Sequence, residues 1–113
     1  MDFEESDSDG ERERDLEVFK NIQIRSTDFT PEMQLACAKF TVEAFNKSKL
    51  DKDIASHIKR SMDRDALFEE GGEGGWQVVL GRSFAASFTH ETKYLMFYDF
   101  AKPRRTIIAF KTQ

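Results

Sequence analysis

The stretch that most constrains the fold is Trp76 to Phe100, WQVVLGRSFAASFTHETKYLMFYDF. It holds the only tryptophan, both tyrosines and four of the eleven phenylalanines. It opens with an apolar run, Trp76 to Leu80, that breaks at Gly81-Arg82. From Ser83 to Thr89, Phe84, Ala86 and Phe88 alternate with small or polar residues, the period of a half-buried strand. His90-Glu91-Thr92-Lys93 separates this run from a third, Tyr94 to Phe100. Three short strands therefore follow one another, and no other part of the chain could supply as much of a core. Lys102-Pro103-Arg104-Arg105 reads as a turn, and Thr106 to Thr112 as a last strand, with Ile107, Ile108, Ala109 and Phe110 nearly continuous.

The segment before this stretch is helical by pattern. Thr30 suits an N-cap, Pro31 the first helical position and Glu32 the first turn. Met33, Ala36, Cys37, Phe40, Ala44 and Phe45 then recur at helical spacing as far as Lys47. A second helix is expected from Leu50 or Asp51 to Asp65. Asp51 and Asp53 suit its start by capping and by the helix dipole, and Ile54, Ile58, Ser61 and Met62 form its buried stripe. His57 reads as a solvated helix residue, and Leu67-Phe68 as packing back on the core. Upstream, Lys20 to Arg25 alternates as a short strand, followed by Ser26-Thr27-Asp28 as a connector. Gly71-Gly72-Glu73-Gly74-Gly75 is a flexible connector. It is no phosphate loop, because no G-K-[ST] follows it and it leads into a strand. Helices grouped ahead of a run of strands indicate α+β with an antiparallel sheet.

The length of 113 residues gives one domain with a modest core, for which oligomerisation is a natural way to add buried surface. The net charge of -4 is uneven. Residues 1–15 carry eight acids against two arginines, so the rest of the chain is slightly positive. Residues 1–15 are expected to form a disordered acidic tail ahead of a domain over residues 16–113. Ser6 and Ser8 each have an acid three residues on, which suits an acid-directed kinase, although a solvated tail with incidental serines explains them as well. The run from Glu5 resembles a calcium loop, but Leu16 stands where the bidentate Glu is required.

Several classes are disfavoured. No apolar run approaches the ~20 residues of a membrane span, and no basic patch argues for nucleic acid. A single cysteine, Cys37, excludes a disulfide framework and a multi-cysteine zinc site, and its place on an apolar stripe makes it structural. His90-Glu91 begins the zinc pattern H-E-x-x-H, but position 94 is Tyr. Neither His57 nor His90 pairs with an acid or serine in a catalytic pattern. No enzyme, metal or cofactor is expected.

One pattern points to a family. Trp76, Gly81-Arg82, Phe84 and Thr89-His90-Glu91-Thr92-Lys93 stand at fixed distances, and Asp51-Lys52-Asp53-Ile54-Ala55 with Ile58-Lys59 and Asp63 forms a second match. Over about Ile22 to Lys111 the chain resembles the eight-kilodalton dynein light chain family, homodimeric light chains that bind short peptides. The resemblance implies two helices on an antiparallel sheet, completed by a strand swapped between the subunits of a homodimer. The strand matching Ser83 to Thr89 would join the partner's sheet, and a disordered client peptide would add to that same strand. The client would lie between it and the second helix of the other subunit.

Implied client-binding residues are Asp51, Lys52, Ser83, Phe84, Ala85, Ala86, Ser87, Phe88, Thr89, His90, Phe97 and Asp99. Implied dimer residues are Gln77, Arg82, Ser83, Phe84, Ala86 and Phe88. Implied partners are a second copy of the chain, the dynein intermediate chain and other short linear motifs, in the cytoplasm on microtubules or in an axoneme. A hub for non-motor partners and a specialised axonemal light chain stay open as alternatives. The chain departs from the family pattern where Gln77 replaces a histidine whose protonation splits the dimer. It departs again where Ala85-Ala86 replace Gly-Ser, and where Ser87 and Asp99 replace aromatics. An altered client motif and a weaker acid switch are therefore expected.

Overall fold

The computed structural model describes residues 15–69, 75–85 and 94–111. The expected tail up to residue 14, the glycine connector at 71–74 and the run Ala86 to Lys93 lie outside them. Among the described residues, β1 is Ile22–Thr27, α1 Pro31–Lys47 and α2 Asp51–Arg64. A single 3-10 turn, Ala66–Phe68, precedes β2 (Trp76–Gly81), β3 (Leu95–Phe100) and β4 (Arg105–Lys111). The strands form one antiparallel sheet in the order β1-β3-β4-β2, and the helices cover one of its faces. The expected α+β architecture is the one observed.

Helix α1 begins where its sequence predicts. The Thr30 hydroxyl accepts from the Met33 amide at 3.2 Å, Pro31 opens the helix, and Ser48 N–H closes it on Ala44 O. Helix α2 corrects one expectation. Its N-cap is Leu50, without a side-chain cap, and the Asp51 carboxylate does not cap the helix. Asp51 Oδ1 accepts instead from Arg105 Nε at 2.9 Å, tying the helix start to the start of β4. Asp51 and Asp53 still favour the positive end of the helix dipole.

The helix-covered face carries the main core. Trp76, Phe68 and Phe29 meet edge to face, with centroids 5.4 to 5.8 Å apart, and Trp76 Nε1 donates to Phe68 O at 2.9 Å. Phe68 packs on the core as expected, while Leu67 stays exposed. Tyr98 reaches α1, where three buried polar groups satisfy one another. Thr41 donates to Cys37 O at 2.8 Å, so the Tyr98 hydroxyl, 2.6 Å away, donates to Thr41. The Cys37 thiol, 3.6 Å from Tyr98 Oη, donates in turn. Burial pushes the Cys37 thiol up to about 12, against the lowering effect of its hydrogen bonds, and burial likewise raises Tyr98. Cys37 is thus the structural cysteine its position predicts.

Two local expectations change. The first strand lies two residues later than the alternation suggests, at Ile22–Thr27, because Lys20 closes a turn on Glu17 O and a bulge at Arg25 breaks the alternation. Residues 15–19 form a short helical segment ahead of it, with Val18 and Phe19 packed on the core. His57 is not solvated. It is wedged at the α1–α2 contact, one-fifth exposed, with Nε2 3.4 Å from Glu43 Oε1. Its position, three residues after Ile54 and one before Ile58, puts it at the margin of the buried stripe.

Candidate functional site

The sheet's second face is built by alternation. Register aligns Leu95 with Phe110 and Gln77 in one row, Phe97 with Ile108 and Val79 in the next, and Asp99 with Thr106 and Gly81 in a third. The first two rows are largely apolar. Leu95, Phe97 and Ile108 are only 6 to 7% exposed, with Phe84 and Phe110 packed against them. Phe84 stacks on Phe97 at 5.9 Å, and a Cβ on Gly81 would stand 3.4 Å from the Phe84 ring. Phe84 thus folds over the face within contact distance of Gly81. Val79 lies 49% exposed at the margin, beside the exposed Gln77.

The third row is polar. Asp99 accepts from Arg25 Nε at 2.6 Å and Arg25 Nη2 at 2.9 Å, and from Thr106 Oγ1 at 2.8 Å. The same guanidinium lies 4.9 Å from the Phe97 ring centroid. Asp99 is therefore no bare carboxylate on an aromatic floor. The bulge that displaces β1 places Arg25 beside it, and the pair closes one end of the apolar face.

Strand β2 lies at the edge of the sheet, paired with β4 alone among the described strands. Its outer edge presents backbone groups available to another strand. The chain leaves β2 at Gly81 through a bend at Arg82-Ser83. Ser83 to Ala85, expected as the start of a strand, lie outside any strand, because the bend and the fold-back of Phe84 intervene. The chain re-enters at Tyr94, whose φ of 55° is unusual for a side chain of this size. Both oxygens of Asp28 clamp this point, each accepting at 2.7 Å, from Tyr94 N and from Leu95 N.

The implied site residues divide by face. Asp51 and Lys52 stand at the start of α2, on the helix side, near the Gly81 end of β2, since Thr106 pairs with Gly81 and Arg105 lies one residue further. Phe84, Phe97, Asp99 and Gln77 belong to the opposite face. Arg82, Ser83 and Ala85 are exposed in the segment that leaves β2. Ala86, Ser87, Phe88, Thr89 and His90 lie outside the described residues. One chain therefore does not bring the two sets onto one wall. Sequence reasoning passed over Arg25, Asp28 and Arg105. Arg25 ends the expected strand and Asp28 lies in the connector after it, and only tertiary pairing with Asp99 and Tyr94 gives them a role. Among the described residues no three His, Cys, Asp or Glu side chains gather as a metal site, and no helix is long and apolar enough to cross a membrane.

Residues 21–112 match the family model described as dynein light chain type 1. The chain belongs to the dynein light chain family. It is 36% identical over 91 residues to the cytoplasmic dynein light chain of Emericella nidulans, covering 80% of this chain and 88% of that protein. Two solved structures of the dynein light chain-like domain of the Fasciola hepatica calcium binding protein FhCaBP2 share the fold. The mercury derivative superposes with a TM-score of 0.64 at 22% identity, covering 83% of this chain and 94% of the other. The native form gives 0.60 at 25% identity, over 81% and 91%. The match spans all four strands and both helices, so the edge strand, the second face and the Asp51 corner all belong to the family domain.

Proposed function

We propose that the chain is a non-catalytic light chain of the dynein motor complex, acting as a homodimer that binds short linear peptides by strand addition. The observation that carries this reading is the open edge of β2, next to an apolar second face, at the point where the chain departs toward Ser83. A strand from a second copy would pair with that edge and bring the two second faces together. The division of the implied residues supports the same arrangement. Asp51 and Lys52 from one subunit and the Ser83 to Thr89 strand from the other would wall a client groove that one chain alone does not make. Two such grooves would align two client chains, such as dynein intermediate chains, side by side.

Client choice is set apart from the usual motif by Ala85, Ala86, Ser87 and the Arg25–Asp99 pair. The carboxylate at Asp99 is held by Arg25 and Thr106, so the floor there is a fixed ion pair and offers a client little apolar contact. The name of the Emericella nidulans relative favours a cytoplasmic setting on microtubules over an axonemal one. Titration of the chain with a peptide common to the family, alongside sedimentation, tests the reading. A two-chain, two-peptide complex with weaker affinity than a typical member is the expected result. A monomer that binds no peptide would refute it. Co-purification with dynein intermediate chain separates the motor role from that of a hub for other partners.

A further inference from the structure

At the end of the sheet remote from Trp76, a cleft of about 340 Å³ opens between β1 and the β3–β4 turn. Lys20, Asn21, Gln23, Asp99, Ala101 and Arg104 line it. Its one acid, Asp99, is already held by Arg25, so the free charge of the cleft is positive. Lys20 and Arg104 are exposed, as is Lys102 on the same turn, and none of the three is in an ion pair among the described residues. Two of these cations line the concave surface and Lys102 lies beside it on the same turn, a charge arrangement that suits an acidic, extended ligand.

The chain itself contains such a ligand. The sequence Glu4-Glu5-Ser6-Asp7-Ser8-Asp9 places four carboxylates in six residues. It departs from near α1, where Asp15 Oδ1 lies 3.5 Å from Lys39 Nζ, and a helical segment over 15–19 joins it to Lys20. That segment rises only about 7 Å. The six residues from Asp15 back to Asp9 can span roughly 20 Å, so the acidic run reaches the cleft with slack. We propose that residues 4–9 dock in this cleft as an intramolecular acidic strap, held by Lys20, Lys102 and Arg104. Tethering supplies an effective concentration on the order of millimolar, so a few exposed charge pairs suffice, and the docking is sensitive to salt.

A spin label on Ser8→Cys in the full chain tests this. Cys37 is buried and its thiol is pushed up to about 12, so the label goes to the new cysteine alone. The expected result at low salt is selective loss of amide signals at residues 20–23 and 101–104. The loss should disappear in a Lys20→Glu/Arg104→Glu variant and at high salt. Broadening centred on the basic side chains of α2 (Lys52, Arg60 and Arg64), or broadening unchanged by the double variant, would overturn the proposal. So would shifts at the cleft amides on adding inorganic phosphate without any broadening from the label, which would assign the cleft to a free anion.

Discussion

The two faces of the sheet use the same alternating strands for different ends. On the helix side, Trp76, Met96, Tyr98 and Ile107 are fully buried, the Cys37, Thr41, Tyr98 and Trp76 polar groups find partners inside the chain, and aromatic rings interlock. On the other side, among the described residues, Phe84 and Phe110 pack against Leu95, Phe97 and Ile108, and Val79 stands half in solvent. The first face is finished by its own helices. The second is apolar enough to be a core, but among the described residues no layer of secondary structure lies over it, and it adjoins a strand edge that no described strand pairs. A single chain thus holds one complete interface and one that is half made.

The largest break in this comparison is expected at Trp76. Trp76→Ala removes the ring at the centre of the Phe29–Phe68 cluster and leaves Phe68 O without its donor. It should cost about 3–5 kcal/mol, a large share of the stability of a domain this size. Denaturant unfolding followed by far-UV circular dichroism measures it. A loss under about 1 kcal/mol would mean that the helix-covered face is not the dominant core.

A second difference lies in pH. Cys37 and Tyr98 are both buried in their neutral forms, so both lose a proton more readily in the unfolded chain. In that window the native state binds more protons, and stability falls as pH rises. For Cys37 the decline starts near its ordinary value of 9.0 and runs toward about 12, with Tyr98 adding to it from about 10 upward. Thermal midpoints should therefore be level below pH 8 and drop above pH 9 (the flat limb tests the starting point). Cys37→Ala together with Tyr98→Phe should flatten the drop. An unchanged alkaline limb in the double variant would place its cause elsewhere.

The Arg25–Asp99–Thr106 cluster gives a smaller effect on the second face. Asp99→Ala removes three hydrogen bonds, but Arg25 is one-third exposed and water can replace part of what is lost. The expected cost is about 1–2 kcal/mol in thermal or denaturant unfolding. A cost near zero would mean that the pair serves only to set client choice.

How much of this could be read from the sequence follows from the range of each signal. Helix α1 was legible to the residue, because Thr30-Pro31 and the stripe from Met33 to Phe45 are local. The strands from Trp76 and Leu95 were legible within a residue, since each is a short apolar run with clear breaks at Gly81-Arg82 and at His90 to Lys93. Strand β1 was misplaced because its bulge interrupts the period at Arg25, and a bulge is decided by the partner strand. Asp28 and Arg105 were missed for the same reason, as their partners Tyr94 and Asp51 lie 66 and 54 residues away. The motif identified the stretch around the site but not its division into two faces. That division depends on register between β2, β3 and β4, which only the paired sheet defines.

The smallest effect on the fold of the single chain should accompany the largest effect on association. Val79 sits on the margin of the second face in the row of Phe97 and Ile108, and it is half exposed. Val79→Asp adds a charge that the isolated chain can keep in water, so its cost to the unfolding of a diluted sample is expected within about 0.5 kcal/mol, the range of ordinary surface substitutions. If two second faces meet in a dimer, the same carboxylate is taken out of water at the interface, with a like charge from the other copy close by. Sedimentation velocity over a range of concentrations then shows the parent chain as a dimer and the variant as a folded monomer with unchanged circular dichroism. A variant that stays dimeric would move the self-association surface off this face. A variant that unfolds at low concentration would show that Val79 belongs to the core of one chain, and the contrast between a finished face and a half-made one would not hold.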